Sequence, residues 1–472
     1  MGQDIDHEEF DEAAFGRFRE RLEDETALLV DWFARGRFST RAYTAGFELE
    51  AWLLDDEARP APRNEAFLRA LGSDLVVPEL SQFNFEVNGS PTTLQGRAFS
   101  RLKDELEHTW DACTRCAADL GLDAIMIGIL PTVTPGELHV GNMSRLSRYR
   151  ALNARLLELR QGAPFELRID GRERFRRTHP DVMLEAAATS FQIHLQVRPD
   201  NAVRLYNASQ AVAGVMVAVS ANAPWLFGHD LWDESRIPLF EQAVSADAPR
   251  YQRVPFGHEW CRGTLLELFQ ENLEHYPVLI PALFDTGPEA LRHLRFHNGT
   301  IWRWNRPLIG FDHDGTPHLR IEHRVVPAGP TVTDLIANAA FYYGLVAALA
   351  LRRAPIEDAM PFAAARDNFY AGARHGLDAR QHWPGADGDV PVPVLVLEEL
   401  LPLARRGLAW LGIPEAEIDA ELSLIEARVR SGRTGARWQR SWVERHGRDF
   451  PGLARAYLER QRTGVPVHRW AL

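Results

Sequence analysis

Lysine is almost missing from this chain: of 53 basic side chains, only Lys103 is one. A Gly-Lys-Ser/Thr phosphate loop requires a lysine, and so does a Schiff base with pyridoxal phosphate. Lys103 sits in the charged helical pattern "FSRLKDELEHTW" and suits neither. Any phosphate chemistry must therefore fall to arginine and metal ions. Cysteine is scarce too, and three residues cannot make a disulfide framework. Cys113 and Cys116 form a C-x-x-C within a helical pattern, which reads as two small apolar residues one turn apart. No second pair is present to complete a zinc site. Positive charge is in deficit: the net charge is −12, which argues against a nucleic-acid partner. Long apolar runs are lacking as well. The longest, Ala211–Ala223 and Leu335–Leu351, are short and broken by asparagine, so they read as buried helices and no membrane association is expected. The first residues, "MGQDIDHEEFDEAAF", have no apolar core of the kind a secretory signal needs, so a cytoplasmic protein is expected.

What is present alternates irregularly between helix and strand. Residues 1–40, 97–120, 202–223 and 333–353 carry helical spacing, and residues 394–472 are mostly helical and arginine-rich. "TAGFELEAWLLD", "QFNFEVN", "DAIMIGILPT", "SFQIHLQV" and "LRIEHRV" read as strands. The order predicts an α+β fold with a mainly antiparallel sheet and helices around it. The Pro/Gly-rich stretch "HWPGADGDVPVP" divides the chain into a catalytic domain at 1–385 and a C-terminal helical region at 386–472 packing on it.

Four of these strands share a peculiarity. Side chains at i and i+2 of a strand point the same way, about 7 Å apart. Glu48 and Glu50 therefore share a face, with Phe47, Leu49 and Ala51 opposite. At an effective dielectric of about 20 the two charges repel by roughly 2–3 kcal/mol. On the other strands the polar sets are Gln82, Asn84, Glu86 and Asn88; Gln192, His194 and Gln196; and Arg320, Glu322 and Arg324. An ordinary solvated sheet face carries Thr, Ser, Lys and mixed charges. Carboxylates with a histidine instead suit a hard divalent cation such as Mg²⁺ or Mn²⁺, and neighbouring arginines suit a polyphosphate.

In order along the chain, Glu48-x-Glu50, "QFNFEVNGSP", "FQIHLQV" and "LRIEHRV" resemble the glutamate–cysteine ligases and their carboxylate–amine ligase relatives in the glutamine synthetase superfamily. "AVSANAPWLFG", "HNGTIWRWNRPLIGF" and "DNFYAGARHGLDAR" resemble further family segments, and the likeness covers roughly residues 40–380. The resemblance implies a glutamine synthetase-like fold, with a curved sheet lining the active site. It implies ATP and Mg²⁺ (or Mn²⁺) as cofactors, with Glu48, Glu50, Glu79, Glu86, His194 and Glu322 as metal ligands. Arg320 and Arg324 would meet the ATP phosphates and, with Glu50 and Glu322, form the catalytic set. Tyr149, Arg150, Gln192, Asn298 and Trp304 would contact small-molecule substrates. Gln192 stands where many relatives have a second histidine, and "GILPT" where they often have Gly-Thr-His-Pro. These departures bear on which acid and amine are used.

The implied reaction is a two-step ligation. A carboxylate takes the γ-phosphoryl group of ATP to give an acyl phosphate, and an amine then displaces phosphate. The default substrates are L-glutamate and L-cysteine, which places the product in glutathione biosynthesis. The chain shows no Ser-His-Asp or Cys-His signature, as expected where no covalent enzyme intermediate is needed. Two alternatives stay open: a guanidino phosphoryl transferase of the same superfamily, with Cys261 as its only candidate nucleophile, and a non-catalytic ATP- or metal-binding protein. "SGRTGARWQR" at 431–440 reads either as a mobile loop closing over an anionic site or as a solvated turn between helices.

Overall fold

The computed structural model describes residues 4, 5, 7–246 and 251–472. An eight-stranded sheet organises them. Its strands are β1 (Thr44–Leu54), β2 (Val76–Pro78), β3 (Asn84–Asn88), β4 (Thr92–Thr93), β5 (Asp123–Ile125), β6 (Phe191–Val197), β7 (Asn305–Phe311) and β8 (Pro317–His323). The order is β7-β8-β6-β1-β3-β2, with β4 and β5 also pairing with β1, and every pairing is antiparallel. The architecture is the expected α+β one.

The period-2 pattern decides which face is buried. Phe47, Leu49, Ala51, Phe83, Phe85, Val87, Ile193, Leu195 and Ile321 are all buried on the apolar side. Helices Ala98–Asp119, Ala202–Ser220 and Val332–Ala350 cover that side. From the last of these, the Tyr343 hydroxyl donates to the His194 carbonyl at 2.8 Å, tying helix to sheet. Ala202–Ser220 and Val332–Ala350 are apolar and long enough to cross a membrane, but they lie 89% and 94% inside the protein. They read as core helices.

Register fixes what the polar face presents. Glu322 lies opposite both Arg306 and His194; Glu48 lies opposite Gln192 and Asn88; Glu50 lies opposite Glu86. Residues far apart in sequence thereby meet on three neighbouring rungs. The expected strand "DAIMIGILPT" is a strand only at Asp123–Ile125. Beyond it, side chains replace the ladder: Gln461 accepts from the Met126 N–H, and Trp52 and Thr189 donate to the Ile127 carbonyl. A hairpin, Phe165–Asp170 with Arg174–His179, was not legible in the sequence.

The C-terminal helices are bonded into the same core. Arg428 is buried and donates to Asp334 at 2.8 Å and Asn338 at 2.6 Å. Arg440 is buried against Asp230 and Asp233. The expected turn between helices is present, exposed at Ser431 and half-buried at Gly432 and Arg433, but the residues after it start a helix instead of a loop over the site, with 434–436 and 438–440 buried. Helix Glu415–Ser431 ends at Gly432 in the left-handed conformation, Thr434 caps the next helix, and Gly435 lies so close to Asn222 that a Cβ would stand 1.9 Å from its Oδ1.

Candidate active site

The polar face of the sheet floors a cavity of about 600 Å³. Its walls come from Val77–Leu80, from the helix Ser147–Leu159 with the residue before it, from the 3₁₀ segment Val182–Ala187, and from residues 280–302. Glu48, Glu50, Glu79, Glu86, Gln192 and Arg324 all line it.

The six carboxylate and histidine ligands expected from the sequence fall into two triads. One is Glu48, His194 and Glu322; the other is Glu50, Glu79 and Glu86. In each, one ligand atom per residue lies within 4.8 Å of the others. Arg324 spans the two. It donates to Glu322 and to the Gln192 carbonyl oxygen, both at 2.6 Å, and the Gln192 amide donates to Glu50 at 3.0 Å. The Ser190 N–H holds the second Glu50 oxygen at 2.6 Å.

The triads differ in charge balance. Burial opposes ionisation of Glu322, but Arg306 and Arg324 outweigh it and hold the carboxyl well below its usual range. Arg306, directly across the ladder, donates to Glu322 at 3.0 Å. Burial pushes His194 down to about 4, so its imidazole is neutral at pH 7. Its Nε2 is buried without a hydrogen-bond partner, 3.4 Å from Glu48. The second triad has less compensation. Burial, then Glu79, raises Glu50 to about 7; burial, then Glu48 and Glu79, raises Glu86 well above its usual value.

These residues fit divalent cations. Hard oxygen donors dominate, one neutral imidazole has an unengaged nitrogen, and one carboxylate cluster cannot ionise fully without a partner. The cavity also has a cationic side, with Arg148, Arg292, Arg295 and Arg324 in its lining. Arg292 lies over the Phe284 ring, which packs on Phe296, so part of the lining is both basic and aromatic.

The other expected residues divide. Tyr149 lines the cavity, and its hydroxyl accepts from Arg148 at 2.8 Å. Arg150 does not reach it; it is exposed and pairs with Glu8 at 3.0 Å, since a helix turns consecutive side chains about 100° apart. Asn298 is buried behind the wall, held by Asn272 and the Pro307 carbonyl, while the following Gly299 and Thr300 do line the cavity. Trp304 is a core residue whose indole donates to Glu241 at 2.9 Å. Arg320 is absent from the lining, but its charge acts on Glu48 and His194. Cys261 is buried, with its thiol pushed up by burial, and is also absent from the lining. Arg148, Glu185, Arg292, Arg295 and Arg306 were not anticipated. Only Arg306 had a legible signal, lying within "WRWNRPLIGF" on the strand that pairs with β8.

Solved structures show the same fold. A glutamate–cysteine ligase from Francisella tularensis in complex with AMP aligns with a TM-score of 0.55 at 11% identity, covering 90% of each chain. A bifunctional glutathione synthetase from Pasteurella multocida aligns with a TM-score of 0.56 at 10% identity, covering 93% of this chain and 55% of that one. No curated protein matches in sequence. A family model places the chain among the glutamate–cysteine ligase-like ligases. The chain belongs to glutamate–cysteine ligase family 2, whose model matches residues 44–461.

Proposed function

We propose that the chain is an ATP-dependent carboxylate–amine ligase that joins the γ-carboxylate of L-glutamate to the amine of L-cysteine through an acyl phosphate. The observation that carries this reading is the pair of acidic triads, bridged by Arg324, on the floor of one cavity in a chain of this family.

The charge argument is direct. ATP and an acid substrate are both anionic, and the floor that must receive them is lined with carboxylates. Glu48, His194 and Glu322 would hold one divalent cation, and Glu50, Glu79 and Glu86 another. Mg²⁺ or Mn²⁺ bound there would neutralise phosphate oxygens and polarise the transferring phosphoryl group. The chain's own residues do the rest by positioning and by standing charge. Arg324, anchored on Glu322 and Gln192, presents a guanidinium between the triads, where charge passes from nucleotide to acid. Arg320 adds its charge at Glu48 and His194. Arg292 and Arg295 with Phe284, Phe296 and Trp302 offer phosphate and base contacts, leaving Tyr149, Arg148 and Gln192 for the small-molecule substrates.

Free, unpaired cysteines and two core-buried apolar helices fit a cytoplasmic enzyme, and γ-glutamylcysteine would feed glutathione biosynthesis. The test is product mass. Incubation with Mg·ATP, glutamate and a panel of amines including cysteine should give ADP, phosphate and an amide product. A phosphorylated acceptor without an amide, or no turnover with any amine, would overturn the reading.

A further inference from the structure

One acidic side chain in the cavity belongs to neither triad. Glu185 projects from the 3₁₀ segment Val182–Ala187 and lines the same wall as Tyr149. The segment is firmly held. Asp181 caps it through the Met183 N–H at 3.0 Å, Asn153 accepts from the Val182 N–H at 3.1 Å, and the Glu185 carbonyl accepts from Ala188. Yet among the described residues the Glu185 carboxylate has neither a hydrogen-bond nor an ion-pair partner. Glu79 and Glu50 act on it with like charge, and Arg324, whose opposite charge also acts on it, pairs instead with Glu322 and Gln192. Burial, then those two glutamates, pushes its carboxyl well above the usual range. An unpaired acid in such a place is costly and contributes nothing to folding. A cation arriving with a ligand supplies the missing partner.

A metal ion is the less fitting cation, because Glu185 falls outside both groups of converging ligands. The rest of the wall is apolar, with Leu146, Leu152 and Val182, and its cation is Arg148, steadied by the Tyr149 hydroxyl. A wall that offers one carboxylate and one guanidinium beside aliphatic carbon matches an α-amino acid, whose ammonium and carboxylate take the two charges. We propose that Glu185 is the counter-charge for the ammonium group of an amino-acid substrate in this cavity. This rests on the ligase reading above and adds to it the group that selects amino acids over plain carboxylic acids or amines.

The ammonium can belong to the acid-bearing substrate or to the amine co-substrate, and one experiment separates them. Wild type and Glu185→Gln are assayed with Mg·ATP, varying L-glutamate, glutarate (which lacks the α-ammonium group) and L-cysteine in turn. Thermal melting confirms that the variant is folded. The expected result is a tenfold or larger rise in KM for one amino acid, with KM for ATP within twofold. If glutamate is the partner, wild type prefers glutamate to glutarate by about a hundredfold in kcat/KM, and the variant loses most of that preference. If cysteine is the partner, KM for cysteine alone rises and the glutamate/glutarate ratio is unchanged. A variant with unaltered KM for both amino acids, or one whose KM for ATP rises equally, overturns the proposal. Absence of amide product from wild type would instead strike the ligase reading itself.

Discussion

The crowding of Glu50, Glu79 and Glu86 has a measurable thermodynamic consequence. Three carboxylates with ligand atoms within 4.8 Å repel by about 3–4 kcal/mol per ionised pair at an effective dielectric of about 20. The metal-free protein answers by holding protons, with Glu50 raised to about 7 by burial and Glu79, and Glu86 raised well above its usual value by burial and its neighbouring carboxylates. A carboxyl whose folded value lies above its unfolded one favours the fold while protonated, and that contribution is lost as pH rises. For Glu50 the window runs from about 4.5 to about 7 and the loss is about 3 kcal/mol. His194, lowered to about 4, acts in the opposite sense below its unfolded value of 6.5. The carboxyl effect therefore stands alone only above that pH, where part of the Glu50 loss and part of the Glu86 loss remain. With about 2 cal/mol/K of unfolding entropy per residue, 472 residues give about 1 kcal/mol per degree, so a fall of a few degrees is expected. Metal-stripped protein melted from pH 6.5 to 8 should lose those degrees, and saturating Mg²⁺ or Mn²⁺ should restore them and reverse the slope. Glu50→Gln should flatten the metal-free slope. A melting temperature that is flat in pH and indifferent to divalent cations would refute the reasoning.

Other substitutions separate site from scaffold. Glu322→Gln should abolish turnover and also destabilise by about 3–5 kcal/mol, because it strands buried Arg306 and Arg324; melting and activity read the two effects. Arg150→Ala should leave kinetics unchanged and stability within about 0.5 kcal/mol, since its pairing with Glu8 is exposed, whereas Arg148→Ala should raise KM for an amino-acid substrate. Trp304→Phe should cost about 1–3 kcal/mol by removing one of the two donors to Glu241, the other being the Tyr370 hydroxyl, with KM values within twofold of wild type.

Much of the floor was legible because strands obey a short, rigid period. Counting by twos placed Glu48 with Glu50, and His194 with Gln192, without any structure. Their division into two triads was not legible, because it depends on strand order: β6 lies between β1 and β8, while β3 lies on the other side of β1. Glu322 therefore meets His194, and Glu86 meets Glu50. The walls were harder still. Arg148, Glu185, Arg292 and Arg295 sit on helical turns and connections, where which side chain faces the cavity depends on how the element docks. The two-residue step from Arg148, in the cavity lining, to Arg150, outside it, on the same helix shows how little the pattern itself decides. The stretch 431–440 was only partly legible for a related reason: its turn is there, but Gly435 and Arg440, of types that usually signal solvent, are demanded by close approach to Asn222 and by Asp230 and Asp233.

The central claim is that this cavity activates a carboxylate by passing it a phosphoryl group. Glutamate labelled with ¹⁸O in its γ-carboxylate tests this most directly when turned over with Mg·ATP and cysteine. Transfer of one labelled oxygen to each phosphate released is the result expected; unlabelled phosphate accompanying amide formation would contradict the account.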